Sequence, residues 1–548
     1  MNWIDFREIS NTVGGFSSLY CDYLHQYENV QQYYNGDFRS SSDIGRVLNA
    51  AQSRLRDRKR LSDILRRQNQ AFGCGEQTLE NIAILESDSA FAVVTGQQVG
   101  ILGGPIYTLY KIITAIKLSR ELNRKYPSFR FVPVFWIEAE DHDFEEVNSV
   151  TVISRENLAT RIEYLIDGKR LEKNLGAVGD LRFESSLSDF FQKLDDVLIN
   201  TEFKPSLLSM LKTYYAPGAS LSTSFVGLLN SFFQGIGLVY INSNDKELKD
   251  MLVPIFQREI QNYPRIGQAV IDRSAEIEER YHAQVKPKAV NLFLFHKGGR
   301  YLVEPRDREK DFALKGTRHH LTREELESIA TVSPEMLSPN VVLRPICQDY
   351  LLPTAMYVAG PSEIAYFAQL KPVYKYYDVT MPIIYPRSSV TLLEHKVEKV
   401  LEKYQLPLVE FFGEHESIWR KVIDQLSDVN VDGLFTTATK DVENGLSQLD
   451  FGLSQIDQTL SGPLEATRSK MNNLLSILKD RTQEAQKKKH DLALRQIQKV
   501  TTHVCPNSSL QERQLNVVYF LNKYGLEFVQ WLTGEVQIDK FKHQVIVL

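Results

Sequence analysis

"FAVVTGQQVGILGGPIYTLYK", residues 91–111, decides how the rest of the chain is read. Its first residues form an unbroken apolar run, which suits a strand covered on both faces by helices. Behind the run come Gly96, Gly100, Gly103 and Gly104, the amides Gln97 and Gln98, and then Tyr107 and Lys111. Glycines permit backbone conformations closed to other residues and let a ligand approach the main chain. Pro105 suits the first turn of a helix. The N-terminus of that helix would aim free N–H groups and partial positive charge above the sheet, which favours phosphate or carboxylate. No Gly-Lys-Ser/Thr ends the stretch and no GxGxxG spacing is present, so neither a P-loop nor a dinucleotide fingerprint applies. Two readings stand open from these residues: an anion-binding turn, or a tight strand-to-helix turn without a ligand.

Four more apolar runs extend the pattern: "FRFVPVFWIE" (129–138), "GLVYINSND" (237–245), "LPTAMYVAG" (352–360) and "VTMPIIYPRSS" (379–389). Pro133 is awkward inside a central strand. A single helical segment, 105–125, separates the first two runs, as a right-handed crossover requires. The last two are likewise separated by one helical stretch. Roughly a hundred residues lie between runs two and three, and again between three and four. The second of these segments holds a hairpin-like "NLFLFHKGGRYLVEP" and a capping box, Thr322 with Glu325. The expected fold is α/β, a Rossmann-like doubly wound parallel sheet interrupted by two insertions, with a C-terminal helical coiled-coil domain.

The boundaries read as follows: 1–85, an N-terminal helical segment; 86–150, the first half of the core; 151–236, a first inserted module. Then come 237–250, a core strand; 251–340, a second inserted module; and 341–392, the second half of the core. The chain closes with 393–515, a coiled-coil arm, and 516–548, a helix and a strand returning to the body. Within the first segment, "SRLRDRKRLSDILRRQNQAFG" reads as a solvated helix face. In the arm, Val442, Leu446, Leu449, Leu453, Ile456 and Leu460 alternate by four and three, and Met471, Leu474, Leu478 and Ala485 resume past "SGP". Such a seam needs a partner, either the other arm of a hairpin or a second copy of the chain, and a homodimer is the expected one.

The 548 residues exceed what one compact core holds. A net charge of -5 leaves no electrostatic footprint of a nucleic-acid binder. The four cysteines, Cys21, Cys74, Cys347 and Cys505, lie far apart without CxxC spacing, which excludes a disulfide framework and a zinc finger. With no apolar run of membrane-spanning length and no signal-peptide order at "MNWIDFREIS", a cytoplasmic protein is expected.

The strand ends carry the chemistry. "WIEAEDHDFEEV" places Glu138, Glu140, Asp141, His142 and Asp143 just beyond the second strand, at the edge where open α/β sheets bind ligands. Such carboxylates hold Mg²⁺ or act as a general base. "RPICQDYLLPT" supplies Arg344, Gln348 and Asp349, "AGPSEIAYFAQL" supplies Gly360, Glu363 and Tyr366, and "YPRSSVTLLE" supplies Arg387 and Ser388, with Ser389, to open a further helix.

"TGQQVGILGGPIYTLYK", "PVFWIEAEDHDFEEVNSV", "RPICQDYLLPTAMYVAGPSEIAYFAQL", "PRSSVTLLE" and the late "LQERQLNVVYF" together resemble the cysteine-adding enzymes of bacillithiol biosynthesis, the BshC family. The resemblance implies addition of cysteine to glucosaminyl-malate, on a Rossmann-like core with two connecting-peptide modules and a dimerising coiled coil. That core plan is similar to class I aminoacyl-tRNA synthetases. "GGPIYT" (103–108) stands where their HIGH signature would be and "PRSSV" (386–390) where KMSKS would be, but neither the histidine pair nor the lysine pair is present.

Joining a carboxylate to an amine in water requires activation, so ATP is the expected co-reactant, as adenylate or acyl phosphate donor. On this reading Asp141, His142, Asp143 and Lys111 form the catalytic set. Thr95, Gly96, Gln97, Gln98, Gly103, Gly104, Tyr107, Glu138, Arg344, Gln348, Asp349, Gly360, Glu363, Tyr366, Arg387 and Ser388 bind substrate or nucleotide. Mg²⁺ is a candidate companion of ATP. Zinc finds no ligand spacing, His319-His320 included. The rival class is a non-catalytic nucleotide-binding coiled-coil dimer, acting as a sensor or partner protein; the acidic balance argues against a tRNA binder.

Overall fold

The computed structural model describes residues 2–9, 16–52, 57–167, 174–306, 311–413, 415–427 and 429–548. It divides into two compact units, one of residues 1–392 with 506–546 and one of 393–505 with 547–548.

The core of the first unit is a five-stranded parallel sheet. Its strands are β1 (Ala90–Gln98), β2 (Arg130–Glu138) and β3 (Val239–Asn242), followed much later by two more. Helix α1 (Tyr107–Lys125) joins β1 to β2, and α2 (Val253–Glu278) follows β3. An antiparallel sheet comes next, with β4 (Leu292–His296) and β5 (Gly299–Arg306) as its central hairpin. Lys297 and Gly298, both at positive φ, form the two-residue turn between them. The chain returns through α3 (Arg344–Leu351) to β6 (Thr354–Ala359), α4 (Pro361–Tyr377) and β7 (Ile383–Pro386).

The parallel sheet runs β7-β6-β1-β2-β3, so the chain winds outward from β1 in one direction and then resumes on its other side. The strand order reverses between β1 and β6, and a crevice opens at such a point above the C-terminal strand ends. Every residue of β1 from Ala90 to Gly96 is buried, as the unbroken apolar run requires. Pro133 is accommodated because β3 pairs with β2 only from Val134 onward, leaving that flank free at the proline. Thr322 and Glu325 make the expected capping box.

Three local expectations are corrected. Ser389 does not open a helix: Ser389–Leu393 is a strand, and the next helix starts at His395. The N-terminal segment is not wholly helical, since Asn2–Ile4 pairs with the strand His543–Val547. Of the basic stretch at 53–73, residues 53–56 lie outside the described residues; Arg58 is buried there and donates to the carbonyls of Leu85, Ser87 and Ala90.

In the second unit, α5 (Val431–Ile456) and α6 (Ser461–Lys489) form an antiparallel hairpin. Asn472 bonds Glu443 at 2.8 Å and Lys479 pairs with Asp432 at 2.7 Å. The seam breaks at Asp457, one turn earlier than "SGP", which begins α6 instead. The hairpin buries Leu446 and Leu464 but leaves Leu449, Ile456, Leu474 and Leu478 more than half exposed.

Candidate functional site

A cavity of about 560 Å³ opens at the reversal of the sheet. Gly96, Gln97 and Gln98 line it from β1, Glu138 to His142 (Ala139 excepted) from β2, Gly360 to Glu363 from β6 and Arg387 from β7. Tyr107, Lys111, Arg344 and Tyr366 complete the expected wall.

Lys111 stands at its floor with a side chain only 5% exposed. Its ammonium donates to Gly96 O (2.8 Å) and Gln97 Oε1 (3.2 Å) and pairs with Glu363 at 2.6 Å. Glu363 also accepts from Tyr357 Oη and from the N–H of Gly360. Burial opposes its ionisation, but Lys111 and these donors hold the Glu363 carboxyl below its ordinary value. Lys111 therefore braces β1 against α4, with all three ammonium donors engaged.

Glu138 and Asp141 diverge. Burial pushes the Glu138 carboxyl up to about 7, with Glu140 and Asp141 adding to the rise and Arg344, 3.0 Å away, opposing it. Asp141 is partly buried, yet His142, Arg300 and Gln98 hold it well below the usual carboxylate range. Glu140 is locked in an ion pair with buried Lys249. Asp143 is absent from the lining; its carboxylate caps the short helix Phe144–Val147 by accepting from Glu146 N–H. Among the described residues no group of three or more histidine, cysteine or acidic side chains is placed to hold a metal ion. Glu138, Glu140 and Asp141 turn instead to Arg344, Lys249 and Arg300. His319 stacks on His296 at 4.1 Å, while His320 meets Arg306.

Several expected binding residues support the wall from behind rather than line it. Thr95 Oγ1 donates to Val358 O, stitching β1 to β6. Gln348 and Asp349 are buried, with Asp349 accepting from Tyr374 Oη. Ser388 Oγ donates to Gln537 O. Gly103 and Gly104 lie at positive φ in a turn clasped by Asn516, whose amide donates to Leu102 O (3.0 Å) and Gly104 O (2.7 Å). The N–H of Ile106, just ahead of α1, bonds Leu515 O, and those of Thr108 and Leu109 turn back to Pro105 O and Ile106 O, so most of this helix start is satisfied by the chain itself. Pro105 precedes α1 rather than opening its first turn.

Arg387 reaches the cavity with its charge already matched. It pairs with Glu512 at 2.7 Å, both side chains nearly inaccessible, and its guanidinium stands 5.3 Å from the Tyr107 ring centre. The remaining lining includes Phe293, Arg300 and Leu302 of the β4–β5 hairpin, the loop lysines Lys286 and Lys288, and Arg513 from the helix α7 (Gln511–Gln514). Arg300 stacks 3.9 Å from the Phe293 ring centre. The hairpin was legible in the sequence, but its place in the cavity, set by the direction in which it leans, was not.

Fold and cavity define an α/β protein with a cavity lined by charged side chains at the switch point of a Rossmann-like sheet. Residues 4–388 match the N-terminal Rossmann-like domain of bacillithiol biosynthesis BshC, and residues 390–548 its C-terminal coiled-coil domain. The chain belongs to the BshC family. It is 38% identical over 536 residues to a Salinibacter ruber protein named "Putative cysteine ligase BshC", covering 97% of both chains. A Chloroherpeton thalassium protein of the same name is 35% identical, with 99% of both chains covered. A solved Campylobacter jejuni structure described as "putative arginyl t-RNA synthetase" aligns over 86% of this chain and 97% of its own, at 11% identity and a TM-score of 0.21, too low to bear on the fold.

Proposed function

We propose that the chain forms the amide between the carboxylate of cysteine and the amine of glucosaminyl-malate, with ATP activating the carboxylate. The observation that carries this reading is one cavity, at the strand ends of a BshC-family sheet, holding a carboxyl that titrates near neutrality beside a surplus of cations. In the adenylate route, a cysteine carboxylate oxygen attacks the α-phosphorus and pyrophosphate leaves. The sugar nitrogen then attacks the carbonyl carbon, AMP leaves with the C–O bonding pair, and the nitrogen loses a proton. In the acyl-phosphate route ADP leaves first and inorganic phosphate second.

The sugar amine must shed its ammonium proton before it can attack. Glu138 is better suited to receive it than Asp141, because a base works best when its pKa lies near the operating pH. Lys111, with its donors engaged, positions the wall rather than the reacting phosphate. The exposed leucines of the arm support the reading that two copies pair there.

Incubating purified protein with cysteine, glucosaminyl-malate and ATP tests the reading by mass detection of the amide. AMP or ADP in the mixture distinguishes the two routes. Intact protein that binds nucleotide yet yields no amide under varied nucleotide and metal conditions overturns it in favour of a binding protein.

A further inference from the structure

Each buried cation at the floor of the cavity is matched by a carboxylate. Lys111 pairs with Glu363, Arg344 with Glu138, Arg300 with Asp141, Arg387 with Glu512, and Lys249 just behind the wall with Glu140. The floor is therefore close to neutral. Three lining cations remain, Lys286, Lys288 and Arg513, all exposed and with no ion pair or side-chain hydrogen bond among the described residues.

Those three side chains are free, but their backbones are held. The lysines sit on one loop, whose start is fixed by a reciprocal pair: Val285 N–H donates to Gln369 Oε1, and Gln369 Nε2 donates to Val285 O, both at 2.8 Å. Its end is fixed where Asn291 N–H donates to Glu259 Oε1 at 2.7 Å. Gln369 and Glu259 are wholly buried. Arg513 follows Gln511, which donates to Leu392 O and accepts from Leu392 N–H, and Glu512, which accepts from Ser389 Oγ and Val390 N–H. Its field also reaches Tyr107, opposing the rise that burial imposes on the phenol. Rigid anchors presenting unpaired cations at the edge of a neutral cavity lower the ordering cost of binding an anion.

We propose that Lys286, Lys288 and Arg513 form an anion subsite at the rim of the cavity, which takes a multiply charged phosphate or carboxylate group of the ligand. The floor cations are already matched, so the anion is held at the rim and the rest of the ligand enters toward Glu138. The inference deepens the ligase reading and rests on it only for the choice of the two anions tried. A nucleotide polyphosphate and a malyl dicarboxylate share the chemistry these cations recognise.

Calorimetric titration of the full chain with tripolyphosphate and, separately, with malate tests the proposal. Removing the cations together (K286A/K288A/R513A) is expected to weaken binding at least tenfold and to flatten its salt dependence, while K286R/K288R with R513K keeps it. Weakening confined to tripolyphosphate assigns the subsite to nucleotide, and weakening confined to malate assigns it to the sugar substrate. Binding unchanged within twofold in the folded triple alanine variant, or no binding of either anion by the unaltered chain, overturns the proposal. Absence of amide product together with cation-dependent anion binding would sink the ligase reading while leaving the subsite standing.

Discussion

Glu138 and Asp141 are close neighbours at the end of one strand, yet their environments drive them in opposite directions. Both are partly buried; what separates them is the number of donors each meets. A base must be ionised to act, so the rate should rise through pH of about 7 and level off above it. Glu138→Gln should lower kcat by roughly 10²- to 10⁴-fold and abolish that limb, with Glu138→Asp keeping part of it, as a pH–rate profile would reveal. The same shift has a stability consequence. The folded carboxyl titrates above its unfolded value of 4.5, so the native state holds the proton more tightly, and stability falls as pH rises from about 4.5 to about 7. In Glu138→Gln, urea midpoints at pH 5 and pH 8 should lie closer together than in the parent. Lys111 makes a different prediction. Lys111→Met strands the buried Glu363 carboxylate and should cost on the order of 3–5 kcal/mol in urea unfolding, part of it recovered by adding Glu363→Gln.

Between β1 and α1 the glycines have a steric reason that holds whether or not a ligand binds there. A Cβ on Gly96 would come within 2.8 Å of the Trp136 carbonyl oxygen, and one on Gly100 within 2.7 Å of the Gly104 Cα. Chain meets chain at these points, so the small residues permit a close backbone approach. Gly100→Ala should cost at least about 1–3 kcal/mol, read from thermal unfolding, because neither contacting atom is a side chain that can swing away. The strands themselves were legible because runs covered on both faces are apolar at nearly every position. The wall from β2, β6 and β7 followed, since strand ends of a doubly wound sheet converge by topology. Lys286, Lys288, Arg300 and Arg513 were not legible: they come from a loop, a hairpin and a distant helix, whose approach depends on tertiary packing. Nor was the pairing of Lys111 and Arg387, because a sequence announces charge but not the partner that cancels it.

For the whole molecule, the heptad pattern announced a coiled coil but not how its arms would divide the apolar seam. The α5–α6 hairpin covers Leu446 and Leu464 within the chain and leaves a stripe on α6 uncovered, with Leu474 65% and Leu478 54% exposed. Leu474→Glu with Leu478→Glu should convert a dimer to a monomer in sedimentation velocity while leaving the far-ultraviolet helix signal unchanged. An unaltered chain that sediments as a monomer at micromolar concentration would refute dimerisation through the arm. The chain leaves its first unit after Leu392 and re-enters it at Pro506, bringing Glu512 to Arg387 and Arg513 to the cavity rim. Translation is vectorial, so a ribosome stalled anywhere in the arm releases a product with the sheet and Glu138 present but the Arg387 guanidinium buried without its counter-ion. The cavity is thereby completed only by residues made after the arm, so its assembly waits on nearly the whole chain.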